Sequence, residues 1–195
     1  MDVCTDPKRL NCGHVFCSGC IAQQFSYKPS CPQCGAVYGK MKGNQPPGRV
    51  SINTSRRPLP GYTDCGSIEI NYDIPAGYQR EDHPSPGTMY EGINRSGHLP
   101  DTSKGRLVCK LLNVAFTRKL IFTIGHSRTT GKDGVVTWND IHHKTRREGG
   151  PQRFGYPDKT YLDRVMEELT VKGVTEDSVD QDEHEEYTKA FSEHW

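Results

Sequence analysis

Within its first 34 residues the chain carries Cys12-x-His14-x-x-Cys17-x-x-Cys20, a ten-residue gap, and then Cys31-Pro32-x-Cys34. Nothing else in the sequence restricts the fold so tightly. Thiolates and a neutral imidazole at C-x-H and C-x-x-C spacing suit tetrahedral Zn²⁺, because two ligands a short turn apart grip one ion from one loop. Six of the chain's eight cysteines, Cys4 included, crowd this stretch around a histidine. Such clustering favours metal binding in a reducing compartment, cytoplasm or nucleus, over a disulfide framework. Residues 1–40 are too few to bury a sufficient apolar core, so the metal is expected to supply their stability. A single-site zinc knuckle and a redox C-x-x-C are the competing readings. A redox motif opens a helix after a strand, and no such signal is read here.

A cross-braced pair of zinc sites needs eight ligands, of which six stand in register: Cys12, His14, Cys17, Cys20, Cys31 and Cys34. The run resembles the last three-quarters of a RING finger whose opening C-x-x-C is expected upstream of Met1. In RING order Cys12, His14, Cys31 and Cys34 complete one site. Cys17 and Cys20 form half of the other, and Cys4 fits a loop better than a third ligand. The resemblance implies ubiquitin transfer, with Ile21, Phe25 and Pro32 on the shallow apolar surface that seats an E2 enzyme. Phe16 is expected in the small core beneath it. Gly35 stands where some RING ligases carry a basic residue that locks the E2–ubiquitin conjugate, so strong stand-alone activation is not expected.

A formal net charge of +1 supplies no global field toward nucleic acid or an anionic membrane. No apolar run approaches a membrane-spanning length and no charged-then-apolar leader is visible, so neither membrane nor secretory routing is expected. The 33% hydrophobic content, 20 glycines and 13 prolines predict a loop-rich chain with modest cores. An α+β chain is the expectation: a small zinc-bound module over 1–40, a linker over 41–59, an α/β domain over 60–174 and an acidic flexible tail over 175–195. In the second domain, Ser67–Ile74 alternates apolar and polar residues as a half-buried strand does. Residues 75–101, rich in proline and glycine, read as a long irregular excursion. Leu107, Leu111, Leu112, Ala115 and Phe116 mark an amphipathic helix over 103–119. The apolar run Leu120–Ile124 reads as a central strand, and Val135–Trp138 as another. Asp158 is expected to cap a helix running to Lys172, with Gly173 ending it.

Three segments are too polar for ordinary core. Ser127-Arg128-Thr129-Thr130-Gly131 follows the apolar strand, where α/β sheets place ligand loops. Thr137 to Thr145 contains Trp138, His142 and His143. Gly149 to Pro157 leads into the helix carrying Glu167 and Glu168. Adjacent histidines point to different sides of a regular element, so one of the pair faces any pocket. A satisfied structural histidine and a solvated glutamate are the bland alternatives.

Pro60-Gly61-Tyr62, His83-Pro84-x-Pro86-Gly87, Leu99-Pro100-Asp101, Leu120-Ile121-Phe122-Thr123-Ile124-Gly125, Trp138-Asn139-Asp140-Ile141-His142-His143-Lys144-Thr145 and Gly155-Tyr156-Pro157-Asp158 stand in the order of the Deltex C-terminal domain. With the cysteine module and Gly43-Asn44-Gln45-Pro46, residues 1–174 resemble the Deltex E3 ubiquitin ligases, above all the Deltex-3 branch. The resemblance implies that a RING recruits E2~ubiquitin while the second domain holds ADP-ribose or NAD⁺, or an ADP-ribosylated protein or nucleic acid, beside the thioester. An ADP-ribosyltransferase is the further partner it suggests. It assigns His142 to the pocket and Glu168 to catalysis. Ser127, Arg128 and Thr129 are expected contacts to diphosphate or ribose, with Trp138 and Tyr156 as flanking aromatic surface. Phe154 occupies a position where some members carry a histidine linked to modification of ubiquitin itself, so that activity is not expected here. The competing reading is a non-catalytic ADP-ribose or poly-ADP-ribose-binding module with a defective RING.

Overall fold

The computed structural model describes residues 6–127 and 131–179. It forms two apolar cores. The smaller holds Leu10, Ile21 and Cys31, with Phe16, Phe25 and Tyr38 packed against it. Strands β1 (Pro7–Arg9) and β2 (Val15–Cys17) pair antiparallel and lead directly into helix α1 (Ser18–Tyr27). Cys17-x-x-Cys20 therefore does open a helix after a strand, contrary to the sequence reading.

The larger core belongs to the second domain. Strand β4 (Ser67–Ile74) is the centre of a three-stranded antiparallel sheet, flanked by β3 (Arg49–Ser55) and β7 (Ile93–Pro100). Ile70 sits opposite Ile52 on one side and Gly97 on the other. Two expectations fail here. The stretch 41–59, read as a linker, supplies β3 and the buried Met41, Gln45 and Leu59. The side chain of Gln45 explains the anchoring: its amide donates to the Phe116 carbonyl at 3.4 Å, and its oxygen accepts from Phe122 N–H at 3.1 Å. Asn44 likewise accepts from Thr123 Oγ1 at 2.9 Å. The excursion over 75–101 contains β5 (Gly77–Tyr78), β6 (Met89–Tyr90) and the whole of β7. Its glycines are compatible with pairing, and Gly97 leaves room for His143, whose Cδ2 would lie 3.0 Å from any Cβ added there.

Helix α2 (Ser103–Thr117) forms as its apolar spacing requires and packs on β4 and β7. Thr102 caps it, its Oγ1 accepting from Gly105 N–H at 3.1 Å. Strands β8 (Phe122–Gly125) and β9 (Val135–Trp138) form a separate antiparallel pair, so the apolar run is not a central strand. It is apolar because Phe122 is covered by rings: Trp138 stacks on it at 4.5 Å and Tyr72 meets it edge-on at 5.4 Å. Helix α3 spans Tyr161–Val171, starting later than Asp158, whose Oδ1 accepts from Thr160 N–H at 3.3 Å just ahead of the helix and whose Oδ2 is engaged by Lys144. Gly173 closes it at φ +68° as expected, with Arg118 donating to its carbonyl at 2.9 Å. No helix among the described residues is long and apolar enough to cross a membrane.

Candidate functional site

The ligand atoms of Cys12, His14, Cys31 and Cys34 all lie within 4.8 Å of one another. That spread matches donors about 2.0 to 2.3 Å from a shared tetrahedral Zn²⁺. His14 Nδ1 faces Cys12 Sγ at 3.4 Å and Cys31 Sγ at 3.5 Å. The Tyr38 hydroxyl, aided by the backbone of His14, pulls the Cys12 thiol down to about 6 and so favours the thiolate a metal needs. Tyr38 also accepts from Cys12 N–H at 2.7 Å, a supporting contact that no spacing rule announces. These four residues fit zinc, and they form the complete site the sequence predicts. Among the described residues Cys17 and Cys20, at the start of α1, belong to no cluster of three or more metal-ligating groups. Cys4 lies outside the described residues.

Of the residues expected to seat an E2, Pro32 is exposed and Phe25 is half-buried, stacked on Tyr38 at 5.4 Å. Ile21 is a correction: it is buried in the small core against Leu10 and Cys31. A helix in so small a module must spend its one good apolar position on the core.

The second constellation joins the segment after β9 to α3. Glu168 grips His142 twice, accepting the backbone N–H on Oε2 at 2.8 Å and facing ring Nδ1 with Oε1 at 2.6 Å. A carboxylate accepts, so Nδ1 carries a proton, and in the neutral ring this leaves the lone pair on Nε2. Nε2 makes no hydrogen bond among the described residues, and the His142 side chain is 73% exposed while that of Glu168 is only 26% exposed. Tyr161 donates to the His142 carbonyl at 3.1 Å. The adjacent His143 is its opposite. It is buried, its Nδ1–H donates to the Ile141 carbonyl at 3.0 Å, and its Nε2 accepts from Tyr72 at 2.8 Å. Burial pushes its pKa down to about 4, so it stays neutral near pH 7.

Below this pair lies a buried charge group. Lys144 Nζ meets Asp158 Oδ2 at 2.6 Å, Arg164 meets the same oxygen at 2.9 Å, and the Lys144 ammonium lies 5.2 Å from the Tyr161 ring centre. Hydrogen bonds from Arg164 and then Lys144 hold the Asp158 carboxyl far below the usual carboxylate range.

Ser127 sits on the turn joining β8 to β9, its carbonyl accepting from Gly131 N–H at 2.8 Å. Arg128 and Thr129 lie outside the described residues. Trp138 is half-buried, stacked on His143 at 4.3 Å as well as on Phe122, so its rings serve the core. Tyr156, expected on a ligand surface, is fully buried and donates to the His98 carbonyl at 2.9 Å; it is a core residue. Sequence reasoning missed Tyr161, although its seven-residue spacing from Glu168 puts both on one helix face.

A family model for the Deltex C-terminal domain matches residues 42–174, beginning at the anchored segment and not at Pro60. One for the C3HC4-type zinc finger (RING finger) matches residues 1–34. The human protein named "Probable E3 ubiquitin-protein ligase DTX3" is 51% identical over 168 residues, covering 85% of this chain and 48% of that protein. "E3 ubiquitin-protein ligase DTX4" of Mus musculus is 43% identical over 178 residues, 88% of this chain and 29% of its own length. Human "E3 ubiquitin-protein ligase DTX1" is 44% identical over 172 residues, 85% and 28%. The chain thus spans about half or less of the curated relatives it matches. With most of its length matched by that domain model and the RING model ahead of it, the chain belongs to the Deltex family.

Proposed function

We propose that the protein is a RING-type E3 ubiquitin ligase. Its zinc module recruits E2~ubiquitin, and its second domain presents either a lysine-bearing target or the hydroxyl of ADP-ribose, free or attached to a substrate. The observation that carries this reading is the two-point grip of Glu168 on His142. The names of the relatives support the ligase class.

A ribose hydroxyl is a poor nucleophile near pH 7 and needs a base aligned with the reacting bond. His142 Nε2 takes the hydroxyl proton as the oxygen attacks the thioester carbonyl of the ubiquitin C-terminal glycine. The C–O bond forms, the C–S bond breaks and the E2 thiolate leaves. The imidazolium then returns its proton to that thiolate or to water. Glu168, bound to Nδ1–H, stabilises the imidazolium and fixes the ring that forms it. Cys12, His14, Cys31 and Cys34 would hold a zinc ion that, when bound, would stabilise the fold of the module that docks the E2.

The test is E2~ubiquitin discharge in the presence of ADP-ribose. His142→Ala and Glu168→Ala should each lower transfer to ADP-ribose by roughly 10²-fold or more, while lysine ubiquitination continues. Equal loss of both activities would place the two residues in folding or E2 docking. ADP-ribose binding with no discharge at all would instead establish the non-catalytic reading.

A further inference from the structure

We infer that α3 is a clamp that sets the position of His142, with Tyr161 and Lys172 as positioning residues; this rests on His142 being the base. Alternate residues of the segment Asp140–Lys144 meet α3 and the residues that flank it at either end. Asp140 Oδ2 meets Lys172 Nζ at 2.6 Å, just past the helix end. His142 meets Glu168, and Lys144 meets the Asp158–Arg164 pair. The intervening Ile141 and His143 turn into the core and are buried. For Asp140 and His142 the spacing works because two residues of extended chain advance about 6.7 Å, close to the roughly 6 Å of the four residues from Glu168 to Lys172.

Packing cannot hold an imidazole as exposed as that of His142, so its bonds do. Three of its atoms are tied to α3: backbone N and ring Nδ1 to Glu168, and the carbonyl oxygen to Tyr161. Tyr161 is buried, and from the same helix face as Glu168 its hydroxyl reaches the carbonyl of the residue that Glu168 grips by N–H and ring. With N and O both fixed, the His142 backbone cannot pivot, and the ring is left with the orientation that keeps Nδ1 on the carboxylate. Lys172 sets the register one turn further along. Neither residue touches the reacting atoms.

Tyr161→Phe keeps the ring and its contact with the Lys144 ammonium but deletes the tie to the carbonyl. It should lower kcat for transfer to ADP-ribose by about tenfold, with KM for ADP-ribose within about twofold, because a small misplacement of the base costs rate more than binding. Nitrogen-15 spectra of the imidazole should show Nδ1–H at His142 in the unaltered protein and a mixture of ring tautomers in Tyr161→Phe. Lys172→Met, whose partner Asp140 is 71% exposed, leaves the fold intact and should show the same tautomer shift to a smaller extent. Should Tyr161→Phe melt early, this variant decides the question.

An unchanged kcat and tautomer in both variants would overturn the clamp, while His142→Ala would still report on the base. If His142→Ala retains transfer to ADP-ribose, the base assignment falls. The tautomer spectra then judge the clamp alone: a shift upholds it and an unchanged spectrum ends it.

Discussion

Replacing Lys144 by methionine tests whether the buried charges beneath His142 act as a unit. Lys144 and Asp158 are only 5% and 3% exposed, and Arg164, the third member, is 50% exposed. Removing one partner of a buried pair costs about 3–5 kcal/mol, because the other charge is stranded away from water. Here Arg164 remains 2.9 Å from Asp158, which puts the expected loss at the low end, about 3 kcal/mol. For a chain of this size that corresponds to a fall in Tm of roughly 10 °C. The double substitution Lys144→Met with Asp158→Leu strands no charge, since Arg164 can turn its guanidinium to solvent, and gives up only the long 3.3 Å bonds from Thr160 to Asp158. Its cost should be about 1 kcal/mol or less, leaving a coupling of about 2 kcal/mol or more against the two single variants. Urea unfolding followed by circular dichroism measures all four corners of the cycle. A Lys144→Met cost below about 1 kcal/mol, or a double variant that loses the sum of the singles, would refute the argument. The pH dependence gives a second reading. The Asp158 carboxyl is depressed in the folded state, so its contribution is present above the unfolded value near 4 and is lost as the pH falls below it. That loss should shrink in Lys144→Met.

The buried His143 is held neutral down to about 4 in the folded protein, against about 6.5 unfolded. Unfolding free energy should therefore decline as pH drops from about 6.5 to 4, by up to about 1.4 kcal/mol per pH unit, and His143→Gln should remove that part of the slope; matching slopes in a pH series would contradict it. Alanine for glycine inside a helix ordinarily gains about 1 kcal/mol. Gly105→Ala should invert the sign, because the new Cβ would lie 1.9 Å from the Pro100 carbonyl oxygen; a raised Tm would count against this close approach. Cys12→Ser should remove the ion held with His14, Cys31 and Cys34, read as a drop of one zinc per chain by elemental analysis. Unchanged zinc would mean that this cluster is not the metal site.

Local chemistry was the legible part of this molecule. Zinc ligation depends on spacing within short loops, so the C-x-H and C-x-x-C units could be read before any fold was known, and the resemblance to a RING joined Cys12 and His14 to Cys31 and Cys34. Helix α2 and strand β4 announced themselves because each buries one face. Strand β3 did not, since all but one of its residues are exposed and an edge strand needs no alternation. Strand β7 was hidden by Gly97 and Pro100, residues that pairing tolerates at a crowded interior point and at a strand end. His142 and Glu168 are distant in sequence and share no periodicity, so only the family resemblance joined them. The errors at Ile21 and Tyr156 have one origin. An aromatic or aliphatic side chain beside a polar motif looks like ligand surface, and tertiary packing alone decides which way it turns. For Tyr156 the deciding fact is the His98 carbonyl waiting inside for its hydroxyl.

Gly173 has a wider role than ending a helix. A Cβ at this position would stand 2.8 Å from Val37 Cγ1, in the loop that follows the last zinc ligand, and 3.4 Å from the Gly39 carbonyl oxygen. The helix that carries Glu168 thus ends against the Val37 side chain and the Gly39 carbonyl of the segment after the zinc ligands, with no side chain of its own in the contact. Such a contact acts as a fulcrum. Any residue larger than glycine would both strain the left-handed backbone and prise the module away, and a small displacement at the pivot grows with distance along the lever. In the proposed ligase this contact, with the packing of Val37 on the large core, helps set how far a thioester docked on the zinc module stands from a hydroxyl beside His142.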